Sequence, residues 1–270
     1  MRFVAASGLR IRVADAGTGG TPLVLIHGLA GSIEVWESLL TLLAAERRTL
    51  ALDLPGHGES DKPLDRSYAP DALRGVIEDV LATHGIARAV WIGNSIGGQI
   101  ALGAAIAGAP RVAAAVLLNP TGVDPDAVAA LLSRPDRIRA RAGVAPTASL
   151  LDAALALMFA DPSGAAPHRL AALRAAHTGS ADHAAHARAV MHVAVAARRA
   201  VLHDQLDRMR VPVLVVWGEE DRLLGDATPA RLAALGVPVA RIAGAGHMPQ
   251  LEAPDAVHRA IASFLRDIGA

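Results

Sequence analysis

The chain has 270 residues, of which 52% are hydrophobic, 19% charged and 3% aromatic, and its 26 basic and 26 acidic side chains cancel. This length and hydropathy suit one large α/β domain or two small ones and exclude a disordered chain or a coiled coil. Because the chain lacks the positive charge that a phosphate backbone attracts, we expect no nucleic-acid partner. The absence of cysteine from the sequence excludes disulfides, thiolate nucleophiles and cysteine-ligated zinc.

The sequence gives no sign of a targeting or membrane segment. Residues 1–16 alternate small apolar side chains with charged ones and contain no apolar stretch of signal-peptide length. An uncharged run from Ala89 to Pro110 is long enough for a membrane span, but Asn94, Ser95 and Gln99 interrupt it. We therefore expect a buried strand-turn-helix there, no membrane partner and a cytoplasmic location.

Short apolar runs alternate with segments of helical period along the first half of the chain. This alternation predicts an α/β fold with a mostly parallel central sheet and helices on both faces. The expected strands cover residues 23–26, 49–52, 89–92 and 112–118, preceded by an edge hairpin at 2–5 and 10–14. The expected helices cover residues 33–45, 71–84 and 96–107.

The strand pattern stops at residue 123 and returns near residue 210. Segments rich in Ala, Arg and His, broken by prolines, predict several short helices between these points. The returning pattern predicts strands at 211–217 and 237–242 and helices at 228–235 and 255–268. We therefore predict a core domain of residues 1–122 and 210–270, with a helical cap of residues 123–209 inserted after strand six. Such a cap is expected to cover the edge of the sheet where α/β folds bind ligands.

A G-x-S-x-G motif lies between a predicted strand and a predicted helix. It consists of Gly93, Ser95 and Gly97 within the sequence VWIGNSIGG. The glycines suit a turn so tight that side chains there would strike the neighbouring strand and helix. The turn is expected to raise the Ser95 hydroxyl above the sheet, at the positive N-terminus of a helix. The alternative is a serine that only caps a glycine-rich helix.

A serine nucleophile needs a histidine base and a carboxylate that orients it, so both should follow other strands. Asp221 lies a few residues after the predicted strand 211–217, and His247 lies in the loop after the predicted strand 237–242. The order Ser, Asp, His along the chain is the order expected when a G-x-S-x-G turn carries the nucleophile.

At this point the chain resembles the α/β-hydrolase superfamily over nearly its whole length. Four further segments match motifs of that family: His27 to Ser32, Asp53 to Ser60, Trp217 to Asp221, and Gly246 to Pro254. The resemblance implies a catalytic triad of Ser95, Asp221 and His247. It also implies an oxyanion hole formed by the backbone N–H groups of Leu29 and Ile96. We expect no cofactor.

Several other polar residues have ordinary structural explanations. In the family, the loop that carries Asp53 and His57 is mainly structural. We expect His27 to hold its own loop by a hydrogen bond, with contact to the oxyanion region as the alternative. Asp124 stays open as an alternative orienting acid, since some relatives place the acid after strand six. Histidines and arginines of the predicted cap are expected to form solvated helix faces rather than a metal site or an anion clamp: His177, His183, His186, His192, Arg134, Arg137, Arg139 and Arg141.

The choice of substrate class rests on fewer residues. Ser95 excludes the relatives that use an aspartate nucleophile, which leaves esters, thioesters or lactones, or C–C cleavage of 2-hydroxy-6-oxo-dienoates. Asn94, the Gly97-Gly98 pair and Arg174 resemble the C–C hydrolases, with Arg174 and Asn94 as candidate substrate-binding residues beside His27. Met248, a further candidate, stands where that subgroup usually has an aromatic residue, and the chain has few aromatics to stack on a planar dienoate.

We therefore place carboxylic ester or lactone hydrolysis first and C–C hydrolysis second. A protein of this fold that binds a ligand without turning it over is a third alternative. The expected partner is a small-molecule acyl substrate, and the sequence leaves a homo-oligomer open.

Overall fold

The computed structural model describes residues 1–124, 153, 156–178 and 182–270, and of residues 174–178 it describes the backbone alone. Eight strands form one sheet in the order β1-β2-β4-β3-β5-β6-β7-β8. Their bounds are β1 (Arg2–Ala6), β2 (Leu9–Ala16), β3 (Leu23–Ile26), β4 (Thr49–Leu52), β5 (Ala89–Asn94), β6 (Val112–Leu118), β7 (Val213–Gly218) and β8 (Val239–Ile242).

The sheet is parallel from β4 to β8 and antiparallel only at one edge. Strands β1 and β2 form a hairpin, and β2 pairs antiparallel with β4. The remaining neighbours, from β4 through β3, β5, β6 and β7 to β8, are parallel. The predicted edge hairpin and mostly parallel sheet are confirmed.

Helices flank both faces of the sheet in the described part of the chain. Their bounds are α1 (Glu37–Ala44), α2 (Pro70–Thr83), α3 (Ile96–Ala107), α4 (Ala165–Thr178), α5 (His183–Arg199), α6 (Ala227–Ala234), α7 (Pro249–Glu252) and α8 (Pro254–Asp267). Two 3-10 turns, Ile33–Trp36 and His203–Arg208, precede α1 and β7.

The hydrophobic core is divided by the sheet into two layers, because successive side chains of a strand point to opposite faces. In β3, Val24 and Ile26 pack in the layer that contains α2 and α3, whereas Leu23 and Leu25 pack in the layer that contains α1 and α8. All four side chains are fully buried. Burial on both faces explains why the strand reads as a continuous apolar run rather than an alternating one.

The last two strands begin two residues later than the sequence predicts. β7 begins at Val213 instead of residue 211, and β8 begins at Val239 instead of residue 237. Pro212 and Pro238 immediately precede them. Proline has no N–H to give to a ladder, so the regular pairing starts only after it.

The chain leaves the sheet after β6 and returns to it at β7. In this interval the described residues form α4, α5 and the second 3-10 turn. Helices were predicted here, but α4 and α5, with 14 and 17 residues, are not the short ones expected. Arg134, Arg137, Arg139 and Arg141 lie outside the described residues. The boundaries of the predicted cap stay a prediction, and we call residues 123–209 the inserted segment. No helix among the described residues is long and apolar enough to cross a membrane.

Candidate active site

The predicted site residues follow the carboxyl ends of neighbouring strands. His27 follows β3, Ser95 follows β5, and Asp221 lies three residues after the last residue of β7. Because these strands are parallel, their carboxyl ends share one edge of the sheet. His247 reaches the same edge from the loop after β8.

Ser95 lies on a sharp turn between β5 and α3. Its backbone has φ 56° and ψ −116°, a region that non-glycine residues rarely occupy. A Cβ atom on Gly93 would lie 2.2 Å from the carbonyl carbon of Gly97, and one on Gly97 would lie 2.1 Å from the carbonyl oxygen of Ile26. The motif therefore needs glycine at both positions, since one faces the helix and the other faces strand β3.

A short hydrogen bond joins the histidine to the acid. Nδ1 of His247 lies 2.8 Å from Oδ2 of Asp221. The same carboxylate accepts hydrogen bonds from the Leu223 and Leu224 N–H groups through Oδ1, and from Asn119 Nδ2 through Oδ2. Because an ionised carboxylate can only accept hydrogen bonds, Nδ1 of His247 is the donor. In the neutral ring, the other nitrogen, Nε2, then has the lone pair that a base requires.

Asp221 is stabilised in its ionised form. Burial acts to raise the pKa of this carboxyl, but the His247 side chain and hydrogen bonds from Leu224 and Asn119 outweigh burial and lower the pKa below its usual value. The side chains of Asp221 and His247 are almost completely buried. This environment gives the imidazole a fixed negative neighbour that stabilises a developing positive charge.

Ser95 and His247 are brought to one edge, but among the described residues Ser95 Oγ forms no hydrogen bond with the imidazole. The hydroxyl-to-base contact often tightens only when substrate is bound. The loop after β3 also passes close to the serine, because a Cβ on Gly28 would lie 3.1 Å from the Cβ of Ser95. Leu29 follows directly in this loop, and Ile96 is the first residue of α3. N–H groups at a helix start lack partners within the helix and are suited to bind an anion.

Comparison with known proteins places the chain in a family. A model described as the alpha/beta hydrolase fold matches residues 21–254. The chain belongs to the alpha/beta hydrolase fold family. The predicted fold class is thereby confirmed, together with the resemblance drawn from the motifs.

Relatives of this hydrolase-fold chain carry several different names. A dihydrolipoyllysine-residue acetyltransferase component of the acetoin cleaving system from Pseudomonas putida is 34% identical over 254 residues, covering 93% of this chain and 65% of that protein. A 2-hydroxymuconate semialdehyde hydrolase from Pseudomonas sp. (strain CF600) is 37% identical over 125 residues, covering 45% of this chain and 44% of that one. The chain thus spans less than two thirds of the length of both relatives.

A solved structure of an N-acyl homoserine lactone degrading enzyme is also similar to this hydrolase-fold chain. It is 28% identical, with a TM-score of 0.77, and the match covers 97% of this chain and 99% of that one.

Asn94 and Met248 are predicted substrate-binding residues, and both are buried. Nδ2 of Asn94 donates to the carbonyl oxygens of Leu118, at 3.1 Å, and His247, at 2.9 Å. Met248 packs in the hydrophobic layer that includes Phe159. These contacts give both residues a role in the frame of the site, and the expected substrate contacts stay predictions.

His27 holds its loop by hydrogen bonds, as the sequence suggested, and the expected substrate contact stays a prediction. The Leu54 N–H donates to Nε2 of His27, so Nδ1 carries the proton and donates to the carbonyl oxygen of Gly28 at 2.7 Å. The ring lies 5.1 Å from that of His57, which lies 5.8 Å from the ring of His186 in α5. This row of three histidines runs from the loop after β3 to the inserted segment.

Two further aspartates named by the sequence have different surroundings. Asp53 accepts hydrogen bonds from the Ile33 and Glu59 N–H groups and from Arg12, so it holds loops together. Asp124 was the alternative orienting acid. The acid hydrogen-bonded to His247 is Asp221.

Arg174 lies in α4, but its side chain is outside the described residues. Within the described chain, no group of three or more His, Asp or Glu side chains is arranged to hold a metal ion. Of the paired histidines of α5, His183 is exposed and Nδ1 of His186 lies 3.0 Å from the carbonyl oxygen of Gly56.

Two residues that support the site were not singled out in the sequence. Asn119, after β6, donates to Asp221 Oδ2 at 2.7 Å. Glu252 accepts hydrogen bonds from the N–H groups of Gly246 and Ala160, and so joins the His247 loop to the inserted segment. Burial raises the pKa of Glu252 above its usual value. The sequence signal for Asn119 was the Asn119-Pro120 pair at a strand end. The signal for Glu252 was its place in the Gly246 to Pro254 motif.

Proposed function

We propose that this protein is a serine hydrolase that cleaves carboxylic esters or lactones through an acyl-enzyme. The observation that carries the proposal is the strained Ser95 turn at the same sheet edge as a buried Asp221–His247 pair. A turn in a sparsely populated backbone region persists only where the surrounding packing holds it, and such positions cluster at active sites. The triad of Ser95, His247 and Asp221 is part of this proposal.

The proposed reaction has two halves. Ser95 Oγ attacks the acyl carbon while Nε2 of His247 takes the hydroxyl proton, and the N–H groups of Leu29 and Ile96 stabilise the oxyanion. Collapse of this intermediate breaks the C–O bond, and His247 returns the proton to the leaving alkoxide. Water then attacks the acyl-enzyme and gives its proton to His247. Collapse of the second intermediate breaks the bond between the acyl carbon and Ser95 Oγ, and His247 returns the proton to Oγ, which restores Ser95 and releases the acid.

Ester or lactone hydrolysis is favoured over C–C cleavage by three considerations. The similar solved structure is named as an enzyme that degrades a lactone. The acetyltransferase component, similar over most of this chain, is named for acyl transfer. Asn94, which favoured C–C cleavage in the sequence, has its amide nitrogen committed to two backbone carbonyls.

The second candidate is C–C hydrolysis of a 2-hydroxy-6-oxo-dienoate. It is supported by the similarity to a 2-hydroxymuconate semialdehyde hydrolase, which is limited to 45% of this chain. In either reaction we propose that the inserted segment acts as a cap that selects the substrate. The segment contacts the backbone of the proposed base, since the backbone N–H of His247 donates to the carbonyl oxygen of Met158 at 2.5 Å.

A covalent label tests the proposed function. A fluorophosphonate should add once, at Ser95, and Ser95→Ala should lose nearly all turnover of p-nitrophenyl esters while its far-UV circular dichroism is unchanged. The matched control is Ser263→Ala, which removes an exposed hydroxyl from α8 and should retain both labelling and turnover. Labelling at another residue, or full activity in Ser95→Ala, would refute the proposal.

A further inference from the structure

Asn119 is a fully buried side chain placed between two strands of the site. It follows β6 and has φ 42°, in the left-handed region that asparagine tolerates better than most residues. Its backbone N–H donates to the carbonyl oxygen of Val216, and its Oδ1 accepts from the Gly218 N–H at 3.0 Å. Both partners belong to β7, so the carboxamide is locked to the strand that precedes Asp221.

The remaining side-chain contact of Asn119 reaches the carboxylate that orients the histidine. Its Nδ2 lies 2.7 Å from Oδ2 of Asp221, the same oxygen that lies 2.8 Å from Nδ1 of His247. One carboxylate oxygen is therefore shared by a permanently neutral donor and by the imidazole. A hydrogen bond to an ionised carboxylate spreads its charge and lowers its proton affinity.

Other charged groups do not compete for this carboxylate among the described residues. Arg222 follows Asp221 in the chain but donates to the backbone carbonyls of Ala156 and Phe159. Glu252, whose pKa the charge of Asp221 helps to raise, forms no hydrogen bond with Asp221 and instead accepts from backbone N–H groups, among them those of Ala160 and Gly246. In the described chain the side chains bonded to Asp221 are those of His247 and Asn119.

We propose that Asn119 is a positioning residue that fixes Oδ2 of Asp221 toward His247 and limits how strongly the carboxylate stabilises the imidazolium. Without the amide donor, Oδ2 would carry more negative charge, and the imidazole would hold its proton to higher pH. Asn119 thus keeps more of His247 in the neutral form that accepts a proton from a nucleophile. The catalytic purpose of Asn119 rests on the proposed function. Its effect on the charge of Asp221 can be measured even if the protein hydrolyses no ester.

Two variants separate the charge effect from the fold. Asn119→Gly removes the carboxamide and accommodates the positive φ without strain. Asn119→Asp keeps the shape and the acceptor for the Gly218 N–H, but it places a second carboxyl group at 2.7 Å from Oδ2 of Asp221. Two carboxyl groups at this distance cannot both ionise easily, so the pair should hold a proton at low pH and lose it only at higher pH.

The measurement is an NMR titration of the His247 ring nitrogens in the full chain, with the signal assigned by its loss in His247→Gln. In Asn119→Gly the His247 signal should titrate at a higher pH than in the natural chain, because the carboxylate beside it keeps more negative charge. In Asn119→Asp the His247 signal should titrate in two coupled steps, the second caused by the carboxyl pair. The control Asp71→Asn, an exposed change in α2, should leave the titration as in the natural chain.

A pKa of His247 that stays unchanged or falls in Asn119→Gly, or a single unshifted step in Asn119→Asp, would overturn the role of Asn119. If Asn119→Gly does not fold, the isosteric Asn119→Asp variant decides the question. The acid limb of kcat/KM for an ester should shift in the same direction. Failure of the proposed function would appear differently, as a shifted NMR titration with no ester hydrolysis and no label at Ser95.

Discussion

The carbonyl oxygen of Ile26, the last residue of β3, fills the space beside Gly97 in the turn that carries Ser95. A Cβ atom on Gly97 would lie only 2.1 Å from this backbone oxygen. Neither partner can rotate away, because both belong to the backbone of a buried element. The strand and the turn can therefore approach this closely only because residue 97 is a glycine and has no Cβ.

We expect Gly97→Ala to lower the free energy of unfolding by at least about 1–3 kcal/mol and to abolish hydrolysis, because the turn must move away from β3. The matched control is Gly75→Ala in α2, where an added Cβ has no atom within 4 Å. That change should raise the free energy of unfolding by about 0.5–1 kcal/mol, because glycine is unfavourable inside a helix. Urea unfolding measures both, and equal effects of the two changes would contradict the steric explanation.

The acid assignment predicts unequal effects of two conservative changes. Asp221→Asn should lower kcat for an ester by about 10⁴, because an amide at this position stabilises the wrong tautomer of His247. Asp124→Asn should retain most of the activity, because Asp221 is the acid at 2.8 Å from Nδ1 of His247. Steady-state kinetics on both purified variants give the comparison. A crippled Asp124→Asn with an active Asp221→Asn would show that the acid is misassigned.

Local patterns were sufficient to predict most of the framework. The spacing of Gly93, Ser95 and Gly97 specifies a turn through steric contacts within a few residues, and buried parallel strands read as continuous apolar runs. The sheet and its edge hairpin follow from the same patterns. The starts of β7 and β8 were predicted too early because apolar periodicity does not register the missing N–H groups of Pro212 and Pro238.

Several contacts between distant parts of the chain could not be derived from the sequence. Asn119 and Asp221 are separated by 102 positions, and an asparagine before a proline at a strand end is typical of an ordinary turn. Glu252 was visible as part of a motif, but its bond to the Ala160 N–H joins residues 92 positions apart. Asn94 was predicted from resemblance to contact substrate, and that stays a prediction. Its two bonds to the backbone carbonyls of Leu118 and His247 could not be read from the sequence.

The two candidate reactions predict different behaviour of Arg174→Ala. If esters are the substrates, kcat/KM for a neutral short-chain p-nitrophenyl ester should be almost unchanged. If a dienoate is the substrate, loss of a charge-assisted contact of about 1.5–3 kcal/mol should slow its cleavage by about one to two powers of ten. The comparison is kcat/KM for a 2-hydroxy-6-oxo-dienoate and an ester in both proteins. A strong preference for the dienoate that disappears in Arg174→Ala would support C–C hydrolysis over ester hydrolysis as the function.

The histidine row predicts a specific dependence of stability on pH. His57 is fully buried, and burial first, then the neighbouring charges of His27, His186 and Lys62, lower its pKa well below 6.5. The unfolded chain therefore binds a proton at His57 at a higher pH than the folded chain does. The contribution is favourable to folding above pH 6.5 and is lost as the pH falls from there toward the lowered pKa, by up to about 1.4 kcal/mol per pH unit.

Replacing this histidine should remove that part of the acid sensitivity. His57→Asn keeps a side-chain donor that can reach the Pro55 carbonyl oxygen but cannot take up a proton. The variant is expected to be less stable at pH 7.5, because it leaves a smaller side chain between His27 and His186. Its stability should nevertheless decline less steeply than that of the natural chain between pH 6.5 and 5. Urea unfolding at steps of half a pH unit gives the free energy of unfolding against pH for both proteins. If the two curves are parallel, protonation of His57 is not the cause of the loss of stability in acid.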